Sequence, residues 1–188
     1  QQEKPFRIMT TDRRIMHPNS SSVYGIESTD GYDPLYLSDY ARFVSILQSG
    51  DAQAQPTSFN RIVTPQNYSS ILTSLLGAEF ILSFDTINSP DLELVAKEGE
   101  TKVYRNEKSL KRAFFVDEVF KTGNLEEQYS KLLDPNFDLT KLATSDEFSF
   151  SSESKNSSLE ITDYTDQSLK LATQSDAKRP LLVTNIFY

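Results

Sequence analysis

Residues 64–84 read TPQNYSSILTSLLGAEFILSF and place helix signals directly before a short apolar run. Thr64 and Pro65 suit the cap and the first position of a helix, and Gly77 suits its end. Between them, apolar residues recur at helical spacing, at Tyr68, Ile71, Leu72 and Leu75. The run 78–84 has the length of a buried strand. A helix that leads directly into a strand predicts α/β packing.

Segments before and after this stretch extend the same architecture. Residues 6–9 alternate apolar and polar side chains and predict a first strand. Ser38 can cap a helix whose apolar face recurs at helical spacing, at Tyr40, Phe43, Val44 and Leu47. Residues 92–97 and 101–105 alternate on either side of the turn 98–100 and predict a β-hairpin. The sequence therefore predicts an α/β (α+β) fold, with a mixed sheet and two to three helices.

The next segment adds a strand and a further helix. Residues 112–116 predict the strand. Asn124 is followed by Glu127 three residues later, which is a capping-box pattern and opens a helix through Leu132. The following Asp-Pro pair, at 134–135, ends that helix.

A change of composition predicts a domain boundary. Residues 145–158 are rich in Ser and charged side chains, and alternating patterns return at 159–164 and 168–171. We therefore predict an α/β domain at residues 1–145. Residues 146–188 are predicted to hold a serine-rich linker and the start of a β-sandwich-like, all-β segment.

The last eight residues, Leu181 to Tyr188, hold six apolar side chains. Because chain termini are usually polar and frayed, this run is expected to be a strand that pairs inside a sheet. We also expect the all-β segment to be truncated, with an open edge that following residues would cover.

The composition excludes several classes of function. The 188 residues carry a formal net charge of -8, which leaves no basic track for a nucleic-acid backbone. The chain has no Cys, so disulfides, thiolate metal sites and a cysteine nucleophile are excluded. Phosphate-binding loops need clustered glycines, whereas the glycines here are isolated. We predict that the chain binds no nucleic acid and no cofactor.

Catalytic and metal sites find little support in the sequence. His17 is the only histidine, and no nucleophile elbow accompanies it, so an exposed loop histidine is the better interpretation. Residues 134–138 begin like a calcium loop, but Leu139 and Ser145 stand where the Gly and the bidentate Glu are required. We predict no catalytic residue and no metal ligand.

One stretch combines aromatic rings with carboxylates, at Tyr24, Asp30, Tyr32, Asp33 and Tyr36. Sugars bind by stacking their apolar faces on rings and by donating hydroxyl hydrogen bonds to carboxylates. These five residues are therefore candidate glycan-binding residues. The alternative interpretation is a tightly packed turn whose tyrosines fill the core.

Several segments together resemble the extracytoplasmic C-terminal region of YfhO-family bacterial membrane proteins. Their order and spacing agree over nearly the whole chain, which is more specific than any one motif. The matching pieces are PN at 18–19, VYGIES at 23–28, DGYDPL at 30–35, LGAEFILS at 76–83, VYRN at 103–106, LKRAFFV at 110–116 and LLVTNIFY at 181–188. Lys111 departs from the family, which often has Pro there, and the Pro-Gly-Trp motif that follows the last strand in the family is missing.

The resemblance implies a multi-pass membrane protein similar to GT-C-type glycosyltransferases, which use lipid-linked sugars to modify cell-wall polymers such as teichoic acid. In such enzymes the catalytic carboxylate lies in a loop between early membrane helices, which this chain lacks. The chain would then be a non-catalytic domain on the extracytoplasmic face of the bacterial membrane. Its partners would be the membrane-embedded remainder of the same polypeptide and cell-wall glycan, and Arg112 joins the candidate substrate-binding residues.

Two alternatives stay open beside this interpretation. The first is a secreted glycan-binding module, which the aromatic and acidic stretch would serve without any membrane part. The second is a glycoside hydrolase, because the chain carries many carboxylates and two of them could face each other at the separation that this chemistry needs.

Overall fold

The computed structural model describes residues 6–32, 37–56, 62–165 and 167–185. The chain divides into two compact units, of which the first runs to Leu110 and the second spans Lys111–Asn185. The fold is α/β (α+β), with mixed sheets and all-β parts, as predicted. The predicted boundary after residue 145 lies inside the second unit. Because a compact unit is not the same as an independently folding domain, that boundary stays a prediction.

A mixed sheet forms the centre of the first unit. The strands of this unit are β1 (Arg7–Thr10), β2 (Glu27–Ser28), β3 (Gly31–Tyr32), β4 (Ile62–Val63), β5 (Ala78–Ser83), β6 (Leu92–Glu98) and β7 (Thr101–Asn106). Five of them lie in the order β2-β1-β5-β7-β6, in which β1 is parallel to both β2 and β5. The remaining pairs of this sheet are antiparallel, and β3 and β4 form a separate antiparallel pair.

The core of the first unit forms where side chains of this sheet meet. A cluster of buried residues contains Met9, Ala78, Ile81, Ile87 and Tyr104. Met9 lies on β1, Ala78 and Ile81 lie on β5 and Tyr104 lies on β7, whereas Ile87 belongs to the segment after β5. The predicted strands and the hairpin of this unit are confirmed.

The hairpin of β6 and β7 contains two special backbone positions. Gly99 has a φ of 57°, the left-handed conformation that this tight turn requires. Further along, Leu94 pairs with Tyr104 and Ala96 with Val103, so Val95 is an extra residue on β6. Val95 therefore forms a β-bulge on the strand at the end of the sheet.

Two α-helices accompany this sheet, α1 (Ser38–Ser49) and α2 (Ile71–Leu75), together with a 3-10 turn at Ser20–Tyr24. Ile46 and Leu47 of α1 are fully buried, and Gly50 ends that helix with a φ of 71°. The predicted helix is confirmed, but its predicted cap is wrong, because Leu37 is at the N-cap position without a side-chain hydrogen bond and Ser38 is the first helical residue.

The predicted start of α2 was wrong. The helix begins at Ile71, and Ser70 caps it by accepting a hydrogen bond from the backbone N–H of Leu72. Residues 66–67 instead dock on the end of α1, where the backbone N–H groups of both donate to Gln48 Oε1 at 3.0 and 2.7 Å. Asn67 Nδ2 also donates to the carbonyl of Leu47 at 3.0 Å. These bonds hold the chain out of a helix before Ser70.

The second unit combines a helix with short sheets. Its elements are β8 (Ala113–Phe115), β9 (Glu118–Lys121), α3 (Leu125–Leu132), β10 (Leu142–Ser145), β11 (Phe150–Ser151), β12 (Ser157–Thr165), β13 (Ser168–Ser175) and β14 (Leu181–Val183). Strand β9 is parallel to β10 and antiparallel to β11, and β12 and β13 form an antiparallel ribbon. The link from β9 through α3 to β10 is a β-α-β crossover.

The predicted capping box of α3 is confirmed at its first contact. Asn124 Oδ1 accepts a hydrogen bond from the backbone N–H of Glu127 at 2.9 Å. The Glu127 side chain reaches back one residue further than the usual pattern, because its Oε2 accepts from the N–H of Gly123 at 2.8 Å. These contacts give hydrogen-bond acceptors to the backbone N–H groups of Gly123 and Glu127, at the N-terminal end of the helix.

The strand predicted near the end of the chain pairs inside a sheet over part of its length. Residues of β14 pair antiparallel with β8, and Leu182 packs against the buried cluster of Val116, Val119 and Ala143. Residues 186–188 of the predicted strand lie outside the described residues. Side-chain alternation explains this packing, since Leu182 contacts the cluster while its neighbours Leu181 and Val183 are exposed.

Candidate functional site

The carboxyl ends of three parallel strands meet at one edge of the first unit. From β1 the chain continues to β2 on one side, whereas β5 lies on the other side. In open α/β sheets, a crevice forms outside the carboxyl ends of the strands where the order reverses in this way, and ligands bind there. The residues that follow β1 are therefore the first place to look for a site.

A cleft lies at this position, and we call it the polar cleft. It has a volume of about 380 Å³ and is lined by Thr11, Asp12, Arg13, Ile62, Thr64 and Gln66. One wall is the loop after β1, and the other is the segment that begins in β4. Ligand pockets have volumes of ~300 to 1,000 Å³, so the polar cleft is at the small end of that range.

The first wall is fixed to the sheet by hydrogen bonds of Thr11. Its backbone N–H donates to the carbonyl of Leu82 at 3.0 Å, and its hydroxyl is 3.0 Å from Ser83 Oγ. Both partners belong to the end of β5, and Ser83 is buried. The loop that carries Asp12 and Arg13 is thus held at its first residue.

The second wall is fixed to α1. The backbone N–H groups of Gln66 and Asn67 donate to Gln48 Oε1, which holds this segment at the end of the helix. No local pattern indicates this contact, because Gln48 and Gln66 lie 18 residues apart. The exposed side chain of Gln66 remains beside the cleft.

The carboxylate of Asp12 is paired with Arg14. Arg14 Nε lies 3.0 and 2.9 Å from the two carboxylate oxygens, and its backbone N–H donates to Oδ1 at 2.9 Å. These hydrogen bonds are the main cause that lowers the pKa of Asp12 from 3.8 to about 2. The guanidinium of Arg14 also lies 5.4 Å from the ring centre of Phe84. Asp12 is therefore ionised, and both of its oxygens are already bonded.

Asp30 lies between β2 and β3, two residues after Ser28 and directly before the strand that pairs with β4. The Ser28 hydroxyl donates to its Oδ1, whereas its Oδ2 has no hydrogen-bond partner among the described residues. Burial raises the pKa of Asp30, because it disfavours the charged form of the carboxyl group. Gly31 and Tyr32 of β3 then pair with Val63 and Ile62. Asp30 thus directly precedes the strand that pairs with β4, but it does not line the polar cleft.

The other predicted site residues are distributed as follows. Tyr24 ends the 3-10 turn before β2, with 70% of its surface exposed. Tyr32 contributes its backbone to β3, and nothing is described for its side chain. Asp33 and Tyr36 lie outside the described residues. Among these predicted residues, Asp30 is the one with a described side-chain hydrogen bond within the first unit.

Arg112 belongs to the second unit. It is 7% exposed, its Nη1 donates to Asn185 Oδ1 at 2.7 Å, and its guanidinium lies 5.3 Å from the ring centre of Tyr164. A buried guanidinium with an amide and a ring as neighbours packs strands together. These contacts support a structural interpretation of Arg112 within its unit.

A second polar cleft, of about 470 Å³, lies at the base of the β12–β13 ribbon. Asp176 accepts hydrogen bonds there from Ser154 Oγ at 2.6 Å and from the backbone N–H of Asn156 at 3.1 Å. The Ser154 hydroxyl is the main cause that lowers the pKa of Asp176. Arg179 donates to Ser157 Oγ at 2.6 Å and to the carboxylate of Asp117. These groups bond to one another and close the base of the ribbon.

Potential metal ligands are scattered over the two units. In the described ranges, no group of three His, Asp or Glu side chains is arranged to hold a metal ion. Asp134 and Asp138, which begin the calcium-like segment, accept local hydrogen bonds from Asn136 and Thr140 at 2.9 and 3.0 Å. Such bonds form turns after a helix, which is the structure that the sequence favoured for this segment.

None of the six residues that line the polar cleft was predicted as a site residue from the sequence. One signal could have found Arg13, namely its position after the first strand of an α/β pattern, where site residues gather. No local signal marks Thr64 and Gln66, because they reach the cleft only through the contact with α1.

Within the described residues, none of the helices is long and apolar enough to cross a bilayer. Comparisons with protein-family models, with curated proteins and with solved structures found no match.

Proposed function

We propose that the chain is a non-catalytic glycan-binding domain and that the polar cleft is its glycan site. One observation carries the proposal: a cleft with guanidinium, amide and hydroxyl groups lies at the carboxyl ends of parallel strands where their order reverses. Sugars present both donors and acceptors, so they bind best to side chains that offer both.

The lining residues divide these tasks between them. Arg13 offers only donors, Gln66 offers an amide donor and acceptor, and the Thr64 hydroxyl can do either. Ile62 adds an aliphatic surface against which the C–H groups of a sugar can pack. The volume of about 380 Å³ suits a small ligand, such as one sugar unit of a polymer.

The wider setting of this domain is part of the same proposal. The resemblance of ordered segments to the YfhO family supports a multi-pass membrane protein whose membrane-embedded part carries the glycosyltransferase chemistry. The present domain then lies on the extracytoplasmic face, where it contacts cell-wall glycan. The aromatic and acidic residues between Tyr24 and Tyr36 support glycan binding with or without a membrane part. They therefore also fit the second candidate, a secreted glycan-binding module. No particular contact favours a glycoside hydrolase.

The binding part of the proposal is tested with a glycan array and with NMR titration of the full 188-residue chain. Cell-wall glycan fragments are expected to shift the amide signals of residues 11–13 and 62–66. Gln66→Ala is expected to weaken that binding, whereas Lys97→Ala, on the exposed hairpin, leaves it unchanged. Failure of every glycan to shift these signals would contradict the proposal.

The membrane part is tested separately, in the gene. The reading frame upstream of residue 1 is expected to encode several apolar segments of ~20 residues each. A reporter that is active only outside the cytoplasm, fused after residue 188, is expected to be active in the host. A frame that encodes a cleavable signal peptide and no other apolar segment would favour the secreted module instead.

A further inference from the structure

We infer that the ligand of the polar cleft carries an oxyanion, a carboxylate or a phosphate, beside its hydroxyl groups, and that Arg13 binds this oxyanion. The inference rests on the proposed function, because it names the class of sugar that the same cleft takes. It follows from how the three charged residues of the first wall are paired.

Asp12 is not available to a ligand as a hydrogen-bond acceptor. Its Oδ1 accepts from the backbone N–H and the Nε of Arg14, and its Oδ2 accepts from Nε and Nη2 of the same side chain, the last at 2.5 Å. The Arg14 guanidinium is held by this bidentate contact and by the ring of Phe84. The charges of Asp12 and Arg14 therefore cancel at the rim of the cleft.

Arg13 differs from its neighbour. Its side chain is exposed and lines the polar cleft, and no carboxylate in the described part of the chain forms an ion pair with it. Asp12 lies close enough to feel the charge of Arg13, but its hydrogen bonds go to Arg14. The charge of Glu100 acts on Arg14, which is not part of the cleft lining. One positive charge is left in the cleft.

The remaining lining groups are uncharged, namely the Thr11 and Thr64 hydroxyls, the Gln66 amide and the Ile62 side chain. A guanidinium presents its N–H donors as a fork that matches the two oxygens of a carboxylate or a phosphate. An acidic sugar places such an oxyanion next to hydroxyl groups. This combination matches the lining better than a neutral sugar, which leaves the charge of Arg13 without a partner.

The test compares sugars that differ only in the oxyanion. The chain is titrated with glucose, glucuronate and glucose 6-phosphate, and the amide signals of residues 11–13 and 62–66 are followed by NMR. Both acidic sugars are expected to bind about tenfold more tightly than glucose, the size of effect expected for a charge-assisted hydrogen bond. A difference between the two acidic sugars identifies the oxyanion as carboxylate or phosphate.

Two substitutions at Arg13 and one control complete the experiment. Arg13→Gln removes the charge and is expected to abolish the preference, so that this variant binds the acidic sugars no more tightly than it binds glucose. Arg13→Lys keeps the charge but not the fork and is expected to retain part of the preference. Lys97→Gln removes a positive charge from β6 and is expected to leave all three affinities unchanged.

The outcomes distinguish failure of this inference from failure of the proposed glycan site. Equal binding of glucose and of both acidic sugars, with Arg13→Gln without effect, overturns this inference and leaves the glycan site standing. The acidic sugars could also bind more tightly than glucose but lose this advantage equally in Lys97→Gln and in Arg13→Gln. That result also overturns the inference, because the attraction would then be non-specific. Absence of any binding, of these sugars and of array glycans, overturns the proposed function itself.

Discussion

Tyr104 connects the core of the first unit to the segment that follows β5. Only 2% of its surface is exposed, and its hydroxyl accepts a hydrogen bond from the backbone N–H of Ile87 at 2.9 Å. Tyr104→Phe leaves that N–H buried without a partner, so we expect the free energy of unfolding to fall by about 1–3 kcal/mol. Urea denaturation followed by circular dichroism measures the change.

Tyr68→Phe is the matched control for this substitution. Tyr68 packs against the same buried cluster, and no hydrogen bond of its hydroxyl is seen in the described residues. Removal of this hydroxyl is expected to change the free energy of unfolding by less than about 0.5 kcal/mol. Equal losses in the two variants would mean that the contact with Ile87 contributes nothing specific.

The pairing of Asp12 with Arg14 makes a prediction about pH. The folded state lowers the pKa of Asp12 from 3.8 to about 2, so it favours the ionised form. This stabilisation is fully present above the unfolded pKa and is lost as the pH falls through about 2. In Arg14→Gln, the pKa of Asp12 measured by NMR is expected to return towards 3.8.

Arg13→Gln serves as the control for this titration. The charge of Arg13 is the smallest of the causes that lower the pKa of Asp12, and Arg13 donates no hydrogen bond to that carboxylate. Most of the lowering is expected to remain in this variant. A pKa of Asp12 that rises as far in Arg13→Gln as in Arg14→Gln would show that charge, and not hydrogen bonding, sets it.

Single residues also show what sequence could and could not predict. Asp30 could be singled out from the sequence because it lies among tyrosines, and rings beside carboxylates suit sugar binding. Arg112 was assigned to the same site because it lies in a matching segment, although the two residues belong to different units. Arg13 was missed because an arginine in a polar loop looks like any other solvated charge until the pairing of its neighbours is known.

At the scale of elements, the start of α3 offers the sharpest test. Asn124 accepts a hydrogen bond from the N–H of Glu127, one of the donors that a helix start leaves without an internal partner. Asn124→Ala is expected to lower the free energy of unfolding by about 1 kcal/mol, whereas Asn124→Asp keeps the acceptor and costs much less. Thermal unfolding of both variants measures the difference.

This comparison also tests whether the helix start matters for the second unit. A cap acts on the helix that it opens, so faster amide exchange in Asn124→Ala is expected first at residues 125–128. Equal stability of the Ala and Asp variants would contradict the role given to the Asn124 side chain.

Elements governed by local signals were predicted well, and those governed by distant contacts were not. The hairpin of β6 and β7 and the start of α3 depend on alternation, a tight turn and a cap, all of which can be read within a dozen residues. The start of α2 depends on Gln48, which lies far away in sequence, so the pattern at Thr64 and Pro65 was misleading. Tertiary contacts override weak helix signals in this way.

For the whole molecule, charge gives a prediction about salt. The formal net charge of -8 repels an acidic sugar over a long distance, whereas Arg13 attracts it at contact. The screening length falls from about 30 Å at 0.01 M salt to about 8 Å at 0.15 M, so added salt removes more of the repulsion than of the attraction. We expect the affinity for glucuronate to rise over this range.

Glucose provides the control, because the affinity for a neutral sugar is expected to be independent of salt over the same range. A steep fall in glucuronate affinity would instead indicate a wider basic surface around the cleft. NMR titration at the two salt concentrations measures both affinities with the same chain.

The fold class could be predicted, because periodicity and turn residues repeat along the sequence, whereas the short strands β2, β3, β4, β9, β10 and β11 were not predicted. The polar cleft could not be predicted, since it joins residues that follow β1 to residues that follow β4. Such a site can be located only when the strand order is known, and sequence periodicity does not determine that order.

The bulge at Val95 affects how the protein behaves among copies of itself. Strand β6 lies at the end of the sheet, where its outer row of backbone groups could accept a strand from a neighbouring molecule. The extra residue twists this row out of line, and Glu93, Lys97 and Glu98 place charges along it. We therefore expect concentrated solutions of the protein to resist edge-to-edge association, although Leu94 and Val95 are exposed at this surface.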